Sequence, residues 1–152
     1  MNCIPRPHVQ SMLFATDDIG MSILLDPELA TTIKNNDNFG TVDDPVGLSV
    51  CFDTLHKAVH SEISITELIR SQGYEVDVML TSFHGANSSA TYCEENNNPE
   101  DVLYDGKYFG STVHPYETVF MKANRGIGDA TMTMLTKWHL NRGVNSWESC
   151  KA

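Results

Sequence analysis

Four segments set polar side chains inside core-like runs: HVQS at 8–11, TDD at 16–18, HSE at 60–62 and HPYETVFMKANR at 114–125. Glu62 is the sharpest of these. At helical spacing it falls on a stripe made by Leu55, Val59, Thr66 and Ile69, flanked by Ala58, Ile63 and Ile65. A carboxylate on such a stripe costs free energy to bury unless it finds a partner. Two roles follow with about equal weight: a structural Glu paired with an Arg or Lys, or a carboxylate at a pocket floor. Leu68 lies on the opposite face, which leaves room for a second covered side.

The other candidates carry weaker chemistry. His8 and Gln10 share one face of an extended chain, an arrangement suited to ligand hydroxyls, beside Ser11; edge hydrogen bonding is the plainer role. Asp17 most simply caps a helix, with a site role as the second reading. Read as a strand, residues 117–122 put Glu117, Val119 and Met121 on one face and Thr118, Phe120 and Lys122 on the other. Lys122 and Arg125 then stand at a strand end, where a phosphate or carboxylate would be held. In a chain this acidic, a surface Lys and an Arg paired with a carboxylate are the strong alternative. His114, before Pro115, reads first as a turn histidine. The motifs GxSxG, HExxH, GxGxxG and the phosphate-binding GxxxxGK[ST] are absent from the sequence. Ser61 beside Glu62 makes no triad by itself, and nothing identifies a base for Cys93.

The elements that would position these groups follow in chain order. Residues 8–15 read as a buried strand, although periodicity alone does not separate that from a helix. Asp17 or Asp18 caps a helix over 19–25 that stops near Pro27, and a second short helix runs over 27–34. Residues 35–45 form a polar loop, and 46–52 are open between strand and helical lead-in. Asp53 caps a long helix that ends at a left-handed Gly73, and 74–80 form a strand. Residues 82–110 read as one long flexible loop, a candidate lid, with Glu94, Glu95, Glu100 and Asp101 as a solvated acidic surface. A strand over 118–121 follows. Asp129 then caps a last helix to about Leu140, its apolar face built from Met132, Leu135 and Trp138 or His139. Trp147 packs in the tail. Strands and helices mixed this way predict an α/β or α+β arrangement in a single domain over 1–152.

Composition bounds the function. The chain has 152 residues, 41% of them hydrophobic, and a formal net charge of -10. That charge argues against nucleic acid or an anionic membrane as the main partner. No apolar run approaches the roughly 20 residues that cross a bilayer. Cysteines at 3, 51, 93 and 150 allow two disulfides in three connectivities, or free thiols. Asn87-Ser88-Ser89 is a glycosylation sequon that matters only in a secretory compartment, and no leader is visible, so the compartment stays open. The abrupt start suggests a fragment of something longer.

Taken together, HVQSMLFATDDIGMSILL, HSEISITELIRSQGYEVDVML and YFGSTVHPYETVFMKANR resemble, in that order, the C-terminal half of glycosyltransferases of fungi and algae. Those are similar to bacterial capsular-polysaccharide and rhamnan-synthesis glycosyltransferases. The resemblance spans most of residues 2–147 and rests on the motifs in combination. It implies an α/β fold, the C-terminal portion of a GT-A-like, Rossmann-type three-layer sandwich, that moves a sugar from a nucleotide sugar to a glycan acceptor. It sets Glu62 and Asp17 at the acceptor pocket as catalytic groups, and Lys122 and Arg125 on donor phosphates. His8, Gln10, Ser11 and Glu117 join the substrate site, and His114 contacts a phosphate or a metal, manganese or magnesium. The family's donor-binding half and its acidic metal motif would precede Asn2. Without them the alternative is a non-catalytic soluble binding module.

Overall fold

The computed structural model describes residues 1–86, 89–96, 101–119 and 121–143. Helix α1 spans Asp18–Leu25 and starts as expected: the Asp17 carboxylate accepts the Gly20 N–H at 2.9 Å. Gly20 is required there, because a Cβ would stand 1.9 Å from Thr16 Oγ1. The helix expected over 27–34 shrinks to a 3-10 turn, Leu29–Thr31, behind Asp26, whose side chain takes the Glu28 and Leu29 N–H groups. Residues 46–52 are neither strand nor helix. They are tied to the first helical pair by Val46 N–H to Ala30 O and Leu48 N–H to Leu24 O.

Helix α2, Leu55–Ser71, is the central element. Its cap is Thr54, which accepts the Lys57 N–H, while Asp53 instead pairs with the Lys57 ammonium at 3.3 Å. Gly73, at φ +84°, ends it in the left-handed form expected. Its buried face differs from the predicted stripe. Leu55 is 77% exposed and Leu68 is fully buried. The residues beneath are mixed: His60, Ser61, Ser64 and Thr66 are all buried. Each has a partner: Asp37, the Gly47 backbone, Arg6 and the Val9 N–H respectively. Apart from His60 Nε2, which finds no partner among the described residues, these buried polar groups are satisfied and so tolerated, and a search for apolar spacing passes over such a face.

Residues 82–110 are more ordered than a single loop. Helix α3, Thr81–His84, and helix α4, Ser89–Asn96, lie within or across this stretch, and Cys93 on α4 is bonded to Cys3. Cys51 is a free, exposed thiol. Cys150, Trp147 and the sequon Asn87-Ser88 lie outside the described residues. Asp101, expected in solvent, is buried. Helix α5, Asp129–Asn141, starts after a Gly128 cap with Asp129 in its first turn. None of its residues is buried, so the expected apolar face is at most half covered.

The Rossmann-type sandwich is overturned. Among the described residues no sheet forms, and pairing is limited to isolated bridges, Asn2 with His8 and Tyr108 with Ser111. The expected strand at 8–15 is broken because Ser11 turns the chain to give both its N–H and its hydroxyl to Glu62. Residues 74–78 run without helix, turn or bend but face no neighbouring strand. Thr118 and Val119 are likewise unpaired, and Phe120 lies outside the described residues. Two apolar clusters hold the chain instead. Ile23, Leu24, Ile33, Val46 and Leu68 form one, between α1 and α2. Leu80, Val102, Tyr108 and Val113 form the other.

Candidate functional site

A polar cleft of about 270 Å³ opens where the N-terminal segment, α2 and the stretches at 101–104 and 122–125 meet. His8, Gln10, Glu62, Lys122 and Arg125 all line it, from distant parts of the chain. Tyr104 completes its wall.

Glu62 is fixed from one side. Its Oε1 accepts the Ser11 N–H at 2.7 Å and the Ser11 hydroxyl at 2.9 Å. Its Oε2 makes no hydrogen bond among the described residues, so one acceptor remains for a ligand. The pairing that its stripe demanded comes from Ser11, not from an Arg or Lys. Gln10, two positions beyond His8, keeps its Oε1 buried without a partner. An unpaired buried amide oxygen marks a place where a hydrogen-bond donor is missing.

His8 is buried, with Nδ1 at 2.8 Å from the Arg6 carbonyl oxygen. Nδ1 therefore carries the proton, and Nε2 is an acceptor. Burial lowers the His8 pKa, against the opposing pull of that carbonyl, and keeps the ring neutral. Behind it, Arg6 reaches Asp37 at 3.1 Å, and Asp37 also holds His60 Nδ1 at 2.9 Å. Burial pushes Asp37 up, but the Phe39 and Gly40 N–H groups and His60 outweigh it and hold its carboxyl below the usual range. A Cβ on Gly40 would strike the His60 ring at 2.4 Å, so this glycine admits the pair.

Arg125 is already engaged. Its Nε lies 3.0 Å from Asp101 Oδ2, its Nη1 donates to the Tyr104 hydroxyl at 3.2 Å, and the guanidinium sits over the Tyr104 ring. Lys122 makes no ion pair among the described residues, so it is the cation left for a ligand.

The remaining expected residues stand elsewhere. Asp17 caps α1 and does not line the cleft, so Glu62 and Asp17 form no acid–base pair there. Glu117 accepts from the Tyr108 hydroxyl at 2.6 Å. Burial, with Glu117 beside it, raises the Tyr108 pKa. His114 accepts the Tyr116 N–H through Nδ1 and lies against the Tyr116 ring. Among the described residues no group of three His, Cys, Asp or Glu that could hold a metal ion is found. Tyr104 and Asp101 were missed by the sequence reading. The signal was the Val102-Leu103 pair behind Asp101, which pulls that carboxylate out of the solvated acidic run.

Among the described residues no helix is long and apolar enough to cross a membrane. No family model, no curated protein and no solved structure matches this chain.

Proposed function

We propose that the cleft holds one sugar unit of a glycan and that the chain is a glycan-binding module. This keeps the acceptor side of the glycosyltransferase resemblance and leaves out transfer. The observation that carries it is the meeting of residues from 8–10, 62, 104 and 122–125 around one small cleft.

The chemistry suits neighbouring hydroxyls. Glu62 Oε2 and His8 Nε2 accept, Lys122 donates, and the Gln10 amide can do both. Tyr104 and Phe39, also on the wall, offer aromatic faces to the C–H side of a sugar ring. About 270 Å³ is at the small end of the usual range for ligand sites. It takes one ring more readily than a sugar nucleotide. A diphosphate would also need more than one unpaired cation, and Arg125 is committed to Asp101.

The test is calorimetry and thermal shift with neutral and uronic-acid oligosaccharides, alongside uridine and guanosine diphosphate sugars with and without manganese. A bound saccharide at ten times its Kd stabilises the fold by about 1.4 kcal/mol. Gln10→Ala and Lys122→Ala should abolish that gain while leaving the unliganded melting point within about 2 °C. If no saccharide shifts the transition, the reading is wrong. If only a sugar nucleotide does so, and only with manganese, transferase chemistry replaces it.

A further inference from the structure

The segments expected as strands border a second feature, an apolar groove of about 600 Å³ that shares Gln10 and Asp101 with the polar cleft. Residues 9–16, 75–80 and 118–119 line it, with Ile65 and Ile69 of α2 at its floor. Residues 75–80 still alternate like a half-buried strand. Val76 and Val78 are half-buried, while Glu75, Asp77 and Met79 are exposed. The N–H groups of Tyr74, Glu75, Val76 and Asp77 make no hydrogen bond among the described residues, nor do those of Phe14, Ala15 and Thr16. An extended run with a free edge is a template for another strand.

The charge around the groove narrows the occupant. Among the described residues its charged side chains are Glu75, Asp77 and Asp101, with no Lys or Arg. Asp101 is taken by Arg125 and Asp77 by His84 at 2.8 Å, which leaves Glu75 without a cationic partner among the described residues.

We propose that this groove binds an extended peptide strand of a partner, with alternate apolar side chains entering the groove and Lys or Arg between them. The strand would pair with the free edge at 74–77, add the missing backbone hydrogen bonds, and bring its cations to Glu75.

The probe is a synthetic peptide of about six residues, the common strand length, alternating Val with Lys and Thr. Three comparison peptides accompany it: one N-methylated at alternate residues, one with Glu in place of Lys, and one scrambled. Binding is read by fluorescence anisotropy, and protection of residues 14–16 and 74–77 by amide hydrogen exchange. The Lys peptide should bind and protect those amides. N-methylation should weaken it by roughly tenfold or more, and added salt should also weaken it. Glu75→Lys, at an exposed position that leaves the fold intact, should weaken the Lys peptide and favour the Glu peptide. Equal binding of the N-methylated peptide, or binding without amide protection, overturns the proposal in favour of a simple apolar patch. Absence of any binding overturns it too. So does protection of 74–77 by the chain alone with dimer mass in sedimentation equilibrium, which would make a second copy the occupant.

Discussion

Leu68 provides the most direct test of which face of α2 is buried. Leu68→Ala removes three carbons from a site with no exposure, packed among Ile23, Leu24, Ile33 and Val46. At about 0.8 kcal/mol per buried methylene, transfer alone costs roughly 2.4 kcal/mol. The cavity left behind adds to this, for a loss of roughly 3 kcal/mol. In a chain of this size that lowers Tm by roughly 6–12 °C. Leu55→Ala, at a side chain 77% exposed, should cost less than about 0.5 kcal/mol. Urea unfolding followed by circular dichroism measures both, with unchanged m-values expected. Gly47 supplies an internal control. Its φ is +97°, and a Cβ there would meet Leu24 O at 2.9 Å and Leu68 Cδ2 at 3.3 Å. Gly47→Ala should stay destabilising by roughly 1–3 kcal/mol even with Leu68→Ala, because the backbone conformation and the Leu24 contact remain. A cost below about 1 kcal/mol for Leu68→Ala, or an equal cost for Leu55→Ala, would refute the packing described.

Four further outcomes follow from particular contacts. His8 is held below its ordinary 6.5 by burial, so the unfolded chain protonates first as pH falls. Its contribution is complete above 6.5, declines as pH drops toward the folded value, and should flatten in His8→Gln when unfolding is measured across that range. Asp37 is held below 3.8, so its contribution is complete above 3.8 and lost as pH falls through the lower folded value. Asp37→Asn should remove that acid transition from the unfolding curve. The Cys3–Cys93 bond closes a loop of 90 residues, so Cys3→Ser should cost roughly 4–5 kcal/mol on chain-entropy grounds, against near neutrality for the exposed Cys51→Ser. At the start of α2, Thr54→Ala should cost about 1 kcal/mol and Asp53→Ala less than about 0.5 kcal/mol, since only Thr54 caps the helix.

The punctuation of the helices was legible in the chain. Asp17 before α1 and Gly73 after α2 follow local rules, in which a side-chain oxygen meets a free N–H or a glycine takes positive φ, whereas α5 is capped by Gly128 and not by the expected Asp129. The grouping of His8, Gln10, Glu62, Lys122 and Arg125 was partly legible too, because each is a polar residue in a core-like run. Local rules could not say which of them stay together. Asp17 and Glu117 look as chemical as Glu62 in one dimension, yet one caps a helix and the other accepts a hydrogen bond from a tyrosine. The strands failed for a related reason. Val76 and Val78 carry real β propensity, but a strand exists only when another segment offers its backbone, and none of the described residues does so for 74–78. Sequence alone thus determined the start of α1 and the end of α2, both set by contacts within a few residues, together with the acidic balance and the candidate polar groups. Tertiary structure decided that Leu68 rather than Leu55 is buried, that Ser11 holds Glu62 and that no sheet closes. Each of those depends on a partner more than ten residues away, which neither propensity nor periodicity encodes.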